Sequence, residues 1–324
     1  MRKEWSSALK ALFAAGVMSL GGCGAARNPE LLEMARQPLD VQPWSFAEHR
    51  GEMIHTEHYQ IYTTIDDNLY KHLLARLLEA THDRMMEVIP EYRQTKPLDC
   101  YVFDSRGQWE SYTRARAGSN APIYLQISSG GYCQEGVFAG YDIGRDQTLS
   151  VVAHEAWHQY SWFAFKDRLP SWLEEGMATQ NEAIDWQGAD PVFKPETNWR
   201  RNAGLRQAIR NNSMWSLTDL VATHAGLVIK ESQGKIDAYY AELWSLVLFL
   251  QQSPVYAPRL KSLLADASAG KLNQLLAGSG VTQREIQGFT EHWNAVAGPL
   301  YLRLYINPDL AALEREYLEW AKRR

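Results

Sequence analysis

His154, Glu155 and His158 are the residues of this 324-residue chain whose types and spacing point most directly to chemistry. They stand in the stretch His154-Glu155-Ala156-Trp157-His158. Histidines four apart on a helix share one face, one turn apart, so both imidazoles can aim at one ion. Zinc accepts neutral imidazole nitrogen, and a catalytic zinc takes three protein ligands and keeps one position for water. Glu155, beside the first histidine, could reach such a water as a general base. The plainer reading is a buried helix with two hydrogen-bonded histidines. With nine histidines in the chain, the H-E-x-x-H spacing seldom arises by chance.

A third ligand has to come from a second element, and a carboxylate suits zinc. Trp172-Leu173-Glu174-Glu175-Gly176-Met177-Ala178 follows at short range and offers two glutamates. Ser171 and Glu174 have the spacing of a capping box, which would engage Glu174 at a helix start and leave Glu175 for the metal. Glu182, seven residues past Glu175, would lie two turns on along the same face of a continued helix. There it could accept the other N–H of a ligand histidine, or be a solvated surface glutamate.

H-E-x-x-H followed by W-L-x-E-G-x-A resembles the gluzincin zinc peptidases, the clan that includes thermolysin and aminopeptidase N. The resemblance covers about 155–182 and, less clearly, 239–250. It implies one zinc ion held by His154, His158 and Glu175, with Glu155 as general base and a carboxylate supporting role for Glu182. The stretch Tyr240-Ala241-Glu242-Leu243-Trp244 resembles the helix whose tyrosine hydroxyl stabilises the oxyanion in the aminopeptidase branch, which implies that role for Tyr240, or else Tyr239. Two departures matter. The interval from His158 to Glu175 is slightly shorter than in that branch. Its substrate-binding Gly-x-Met-Glu-Asn stretch has no counterpart, so aminopeptidase specificity is not implied.

These residues need elements to hold them. Alternating, aromatic-rich His58 to Thr64 predicts a strand, as does Leu98 to Phe103. Short strands are expected at Ile123 to Ile127 and Gly136 to Tyr141, around a Gly130-Gly131 turn. The second of these is the candidate edge along which an extended peptide could lie. Apolar spacing predicts helices at 69–88, at 149–165 for the motif, and through most of 197–322, with 283–296 as one of them. The expected fold is α+β, thermolysin- or gluzincin-like. A mixed N-terminal subdomain (46–195) with a small sheet carries the metal site, and a helical subdomain (196–324) follows.

The N-terminus reads as an export signal. Arg2, Lys3 and Lys10 precede a short apolar stretch, Ala8 to Leu20, and Leu20-Gly21-Gly22-Cys23 resembles a bacterial lipobox. Residues 1–22 are then a lipoprotein signal peptide, Cys23 carries the lipid, and 23–45 is a tether. The expected location is the cell envelope, lipid-anchored, at the periplasmic face of the outer membrane if the cell is Gram-negative. Cys100 and Cys133 would meet an oxidising compartment and are expected to bridge, the alternative being two buried thiols. The net charge is -5 and no long basic run occurs, so nucleic acid is not an expected partner. Arg200, Arg201, Arg206 and Arg210 are expected on a solvated helix face, and His224 is expected to be structural. The functional expectation is zinc-dependent hydrolysis of peptide bonds in a peptide or protein substrate. Competing expectations are a non-catalytic binding lipoprotein of the same fold and a zinc hydrolase acting on a non-peptide envelope component.

Overall fold

The computed structural model describes residues 29–128, 130–228, 231–288 and 290–324. The signal-peptide segment and Cys23 lie outside the described residues. The chain is a mixed α+β protein that divides into two compact units. One comprises the described residues up to Phe163 together with Asn181–Lys194; the other comprises Ala164–Gln180 with Pro195–Arg324. The expected boundary at 195/196 is thus replaced by an exchange: the first unit takes back a short segment after the chain has already entered the second. No helix among the described residues is long and apolar enough to cross a membrane.

The first unit begins with helix α1 (Pro29–Met34) and strand β1 (Val41–Phe46). The stretch expected as a tether therefore holds structure: α1 buries Leu31 and Met34, and β1 pairs with β2 (His49–His55). The unit continues through β3 (Tyr59–Thr63), α2 (Asn68–Met86), β4 (Leu98–Phe103), α3 (Arg106–Arg116), α4 (Ala121–Tyr124), β5 (Gly131–Gln134), β6 (Val137–Tyr141) and α5 (Arg145–Ala164), whose last residue starts the second unit. The strands form one sheet in the order β1-β2-β3-β4-β6-β5, with β3, β4 and β6 mutually parallel and the other pairs antiparallel. Two-residue alternation sorts the faces. Tyr59, Ile61, Cys100 and Val102 are buried on one side. On the other, Tyr62 stacks on Tyr101 at 4.5 Å, and Phe103 joins a cluster with Trp109 and Tyr112 of α3. A second, two-stranded sheet pairs β7 (Ile184–Gln187) with β8 (Asp190–Phe193).

Two local expectations are corrected here. Ile123 to Ile127 is not a strand: Pro122 sits in the first turn of α4, and Tyr124 turns inward to stack on Tyr132 at 4.0 Å. The partner of β6 is instead Gly131–Gln134, joined to it by Glu135 and Gly136, both at positive φ (53° and 75°). That geometry is a two-residue turn whose twist matches the flanking strands. Strand β6 is consequently interior, flanked by β4 and β5, and cannot be the edge that an extended peptide would extend.

The expected Cys100–Cys133 disulfide does not form. Cys100 on β4 and Cys133 on β5 are both register partners of Phe138, on opposite sides of β6. Two strand spacings, about 10 Å, separate their backbones, beyond the reach of a bridge. Both are buried, and burial pushes the Cys100 thiol well above its ordinary pKa.

The second unit is helical: α6 (Ser171–Ala178), α7 (Trp199–Arg210), α8 (Leu217–Ala222), α9 (Ala225–Val228), α10 (Gln233–Gln252), α11 (Ala257–Ala269), α12 (Gln283–Gly288), α13 (Glu291–Tyr301) and α14 (Leu310–Ala321). The single helix expected over 283–296 is interrupted, because Thr290 caps a new start by accepting a hydrogen bond from the Trp293 amide. Helix α10 runs through the interior against α6 and α7. Gly176 permits that approach: a Cβ there would collide with Val247 and lie 3.1 Å from the Leu243 carbonyl.

Helix α10 also buries a carboxylate. Glu242 is fully enclosed and accepts hydrogen bonds from the Trp215 amide at 3.1 and 3.3 Å. Burial pushes its carboxyl up from 4.5 to about 8, partly opposed by the Trp215 amide. Between those two values the folded chain holds a proton that the unfolded chain has released, so this group's contribution is complete below 4.5 and is lost as pH rises to about 8. Urea unfolding of the wild type should therefore weaken across that window by a few kcal/mol, at 1.36 kcal/mol per pK unit. Glu242→Gln, neutral throughout, should flatten the decline. Equal slopes for both proteins would refute this assignment.

Candidate metal centre

Helix α5 carries the histidine pair, and its position is fixed at both ends. At the start, the Asp142 carboxylate accepts from the Tyr70 hydroxyl (3.0 Å), the Gly144 amide (3.1 Å) and the Thr148 hydroxyl (3.1 Å). Thr148 Oγ1 in turn accepts from the Ile143 amide, and Arg145 pairs with Asp67 at 2.7 Å. Three turns on, Gln159 Nε2 donates to the carbonyls of Asp99 on β4 (2.8 Å) and Gly136 in the β5–β6 turn (3.0 Å). The helix is thereby tied to α2 and its cap at the start, and to the sheet beyond the residues it displays.

His154 and His158 are buried one turn apart, with ring centroids 5.1 Å apart and planes 70° apart. His154 Nδ1 lies 2.9 Å from Glu182 Oε1, with both side chains almost wholly enclosed. Against an ionised carboxylate, which only accepts hydrogen bonds, a neutral imidazole would carry its proton on Nδ1 and keep the Nε2 lone pair. This is the arrangement in which a carboxylate fixes the tautomer and orientation of a metal-binding histidine. Glu155, between the two histidines in sequence, is buried as well.

Glu182 reaches this place by a route the sequence did not suggest. Helix α6 stops at Ala178 and a single tighter turn, Thr179–Asn181, follows, so Glu182 is beyond the helix rather than two turns along it. Ser150 Oγ of α5 donates to the Glu182 carbonyl at 2.8 Å, and Arg84 Nε of α2 donates to Asn181 Oδ1 at 3.0 Å. Sequence reasoning missed these supports, which join residues 32 and 97 positions apart and carry no local signal.

Glu175 and Tyr240 belong to the second unit, on α6 and α10, and both are buried. The expected capping box at Ser171 and Glu174 is absent, because Pro170 occupies the cap position and Ser171 already lies inside the first turn. Ser171 Oγ instead meets the Tyr239 hydroxyl at 3.3 Å. Glu174 is nonetheless engaged elsewhere: its charge supports Arg168, whose guanidinium burial pushes down to about 9. The two tyrosines divide their surroundings. Tyr239 donates to the Thr223 carbonyl at 3.2 Å, and burial, together with the nearby Glu175 carboxylate, raises its hydroxyl pKa against the Ser171 bond. Tyr240 lies under the Arg201 guanidinium, 5.1 Å from the ring centre. Arg201 is therefore buried, not part of the expected solvated arginine face, whereas Arg206 and Arg210 are exposed. His224 is buried in the second unit, in keeping with a structural role.

No protein-family model matches the chain, and no curated protein and no solved structure is significantly similar to it.

Proposed function

We propose that this protein is a zinc-dependent peptidase of gluzincin-like architecture. One zinc ion is bound by His154, His158 and Glu175. Two imidazoles and a carboxylate are the donor set of a catalytic zinc with one position open. His154 and His158, buried one turn apart, supply two of those donors, and Glu175, buried in the other unit, is the proposed third. The observation that carries the proposal is the 2.9 Å contact of His154 Nδ1 with Glu182, which leaves Nε2 as the ligating atom.

Zinc, when bound, would polarise the scissile carbonyl and acidify a water near it. The chain's own part follows from its side chains. Glu155 takes the proton of the attacking water and passes it to the leaving amine. The Tyr240 hydroxyl donates to the oxyanion as charge develops there. Glu182 keeps the His154 ring turned in the ligating direction throughout. Lipidation at Cys23 holds the protein at the cell envelope, facing away from the cytoplasm, where its peptide or protein substrate would be met.

The test uses the full chain extracted in detergent from the membrane fraction, where it should be recovered only while Cys23 is intact. A broad peptide library and cell-wall fragments are offered together. Cleavage of peptide bonds that stops with a chelator and returns with zinc is the expected result. Cleavage confined to non-peptide wall linkages would replace peptidase with another zinc hydrolase, and a zinc-loaded protein inert toward both would leave a binding module.

A further inference from the structure

We propose that Arg84 is a positioning residue for the metal centre, acting through the segment that carries Glu182. The inference rests on the zinc reading above for its consequence, but its geometry lies wholly within the first unit. Glu182 stands at the head of the 181–194 segment, whose regular structure is the β7–β8 pair. Two strands of four residues do not hold a position by themselves, so whatever grips the segment decides where Glu182 lies.

Arg84, in the last turn of α2, grips it at both ends. Its Nε donates to Asn181 Oδ1 at 3.0 Å, one residue before Glu182. Its guanidinium lies over the Phe193 ring, 5.2 Å from the centre, at the far end of β8. Because Ile184 and Phe193 are register partners, the two ends are adjacent and one planar cation can serve both. Arg76, two turns earlier on α2, forms an ion pair with Asp190 near the β7–β8 turn. Ser150 Oγ meets the Glu182 carbonyl at 2.8 Å from the α5 side. The Glu182 backbone is thus held between α2 and α5, and its carboxylate can remain 2.9 Å from His154 Nδ1. A shift of about 1 Å in this strap would break that hydrogen bond while leaving every metal ligand in place.

The experiment is a double-mutant cycle of Arg84→Gln and Glu182→Gln in the full chain. Two readouts are used: zinc affinity by chelator competition, and the Nδ1 proton of His154 by nitrogen-15 NMR on metal-free protein. Glu182→Gln should weaken zinc about 10- to 100-fold, the range for losing such an outer partner. Arg84→Gln, one step further out, should weaken it about fivefold and diminish the His154 Nδ1–H signal. In the Glu182→Gln background the arginine change should add nothing, since the contact it maintains is already gone. Arg84→Gln with lower thermal stability but unchanged zinc affinity and an unchanged His154 proton would overturn the proposal, as would full additivity. If Arg84→Gln does not fold, Phe193→Leu removes only the ring contact and is read the same way. A wild-type chain that binds no zinc would instead overturn the metal reading, and the NMR comparison would still decide the role of Arg84.

Discussion

Glu155→Gln is expected to retain a full equivalent of zinc and lose peptide hydrolysis by about a thousandfold, within the range that a positioned acid–base group contributes. The substitution preserves the shape of a side chain that is 1% exposed, so it leaves no cavity beside the histidines. It also leaves His154, His158, Glu175 and the Glu182 contact untouched, and zinc affinity should not move. What it removes is the capacity to accept a proton, because an amide oxygen is not a base near neutral pH. The measurement pairs metal content with kcat/KM on whichever library peptide the wild type cleaves. The loss should lie in kcat, since a group that acts only as charge shifts in the transition state contributes little to ground-state binding. A variant with zinc bound and wild-type turnover would remove Glu155 from the mechanism and move the search for the base elsewhere.

The difference between what the sequence discloses and what only the fold discloses follows from the range of each signal. The motif helix is legible because a four-residue spacing nearly equals one helical turn, so two identities and an interval define a face. The strands at Tyr59–Thr63 and Leu98–Phe103 are legible for the same reason, since alternation survives in the text. Strands β1 and β2 are not, because their exposed and half-buried residues follow no two-residue pattern strong enough to read. The Glu182 expectation reached the right partner by the wrong geometry: helical periodicity was invoked, yet the helix ends at Ala178 and distant contacts set the residue's place. The cysteines illustrate the converse. Compartment chemistry argued for a bridge, but β5 pairs with the far side of β6 and the separation rules it out. The capping-box argument that set Glu174 apart from Glu175 also fails, because Pro170 holds the cap position.

His158→Ala is expected to reduce bound zinc from about one equivalent to a trace, and with it all chelator-sensitive hydrolysis. Zinc with three protein ligands cannot keep its geometry on two. The variant also deletes a fully buried imidazole, so some loss of stability is expected whether or not a metal is present. Thermal unfolding with and without added zinc separates the two effects. A ligand that binds only the folded state stabilises it by RT ln(1 + [L]/Kd), about 4 kcal/mol at a thousandfold excess over Kd. The wild-type transition should therefore rise on adding zinc and fall with chelator, while the His158→Ala transition should stay where it is in both. A cavity effect alone would lower the variant's transition and leave its response to zinc intact, and that outcome would remove His158 from the ligand set. Because the argument runs through a difference in response rather than through absolute stability, it holds even if the substituted helix packs less well than the native one.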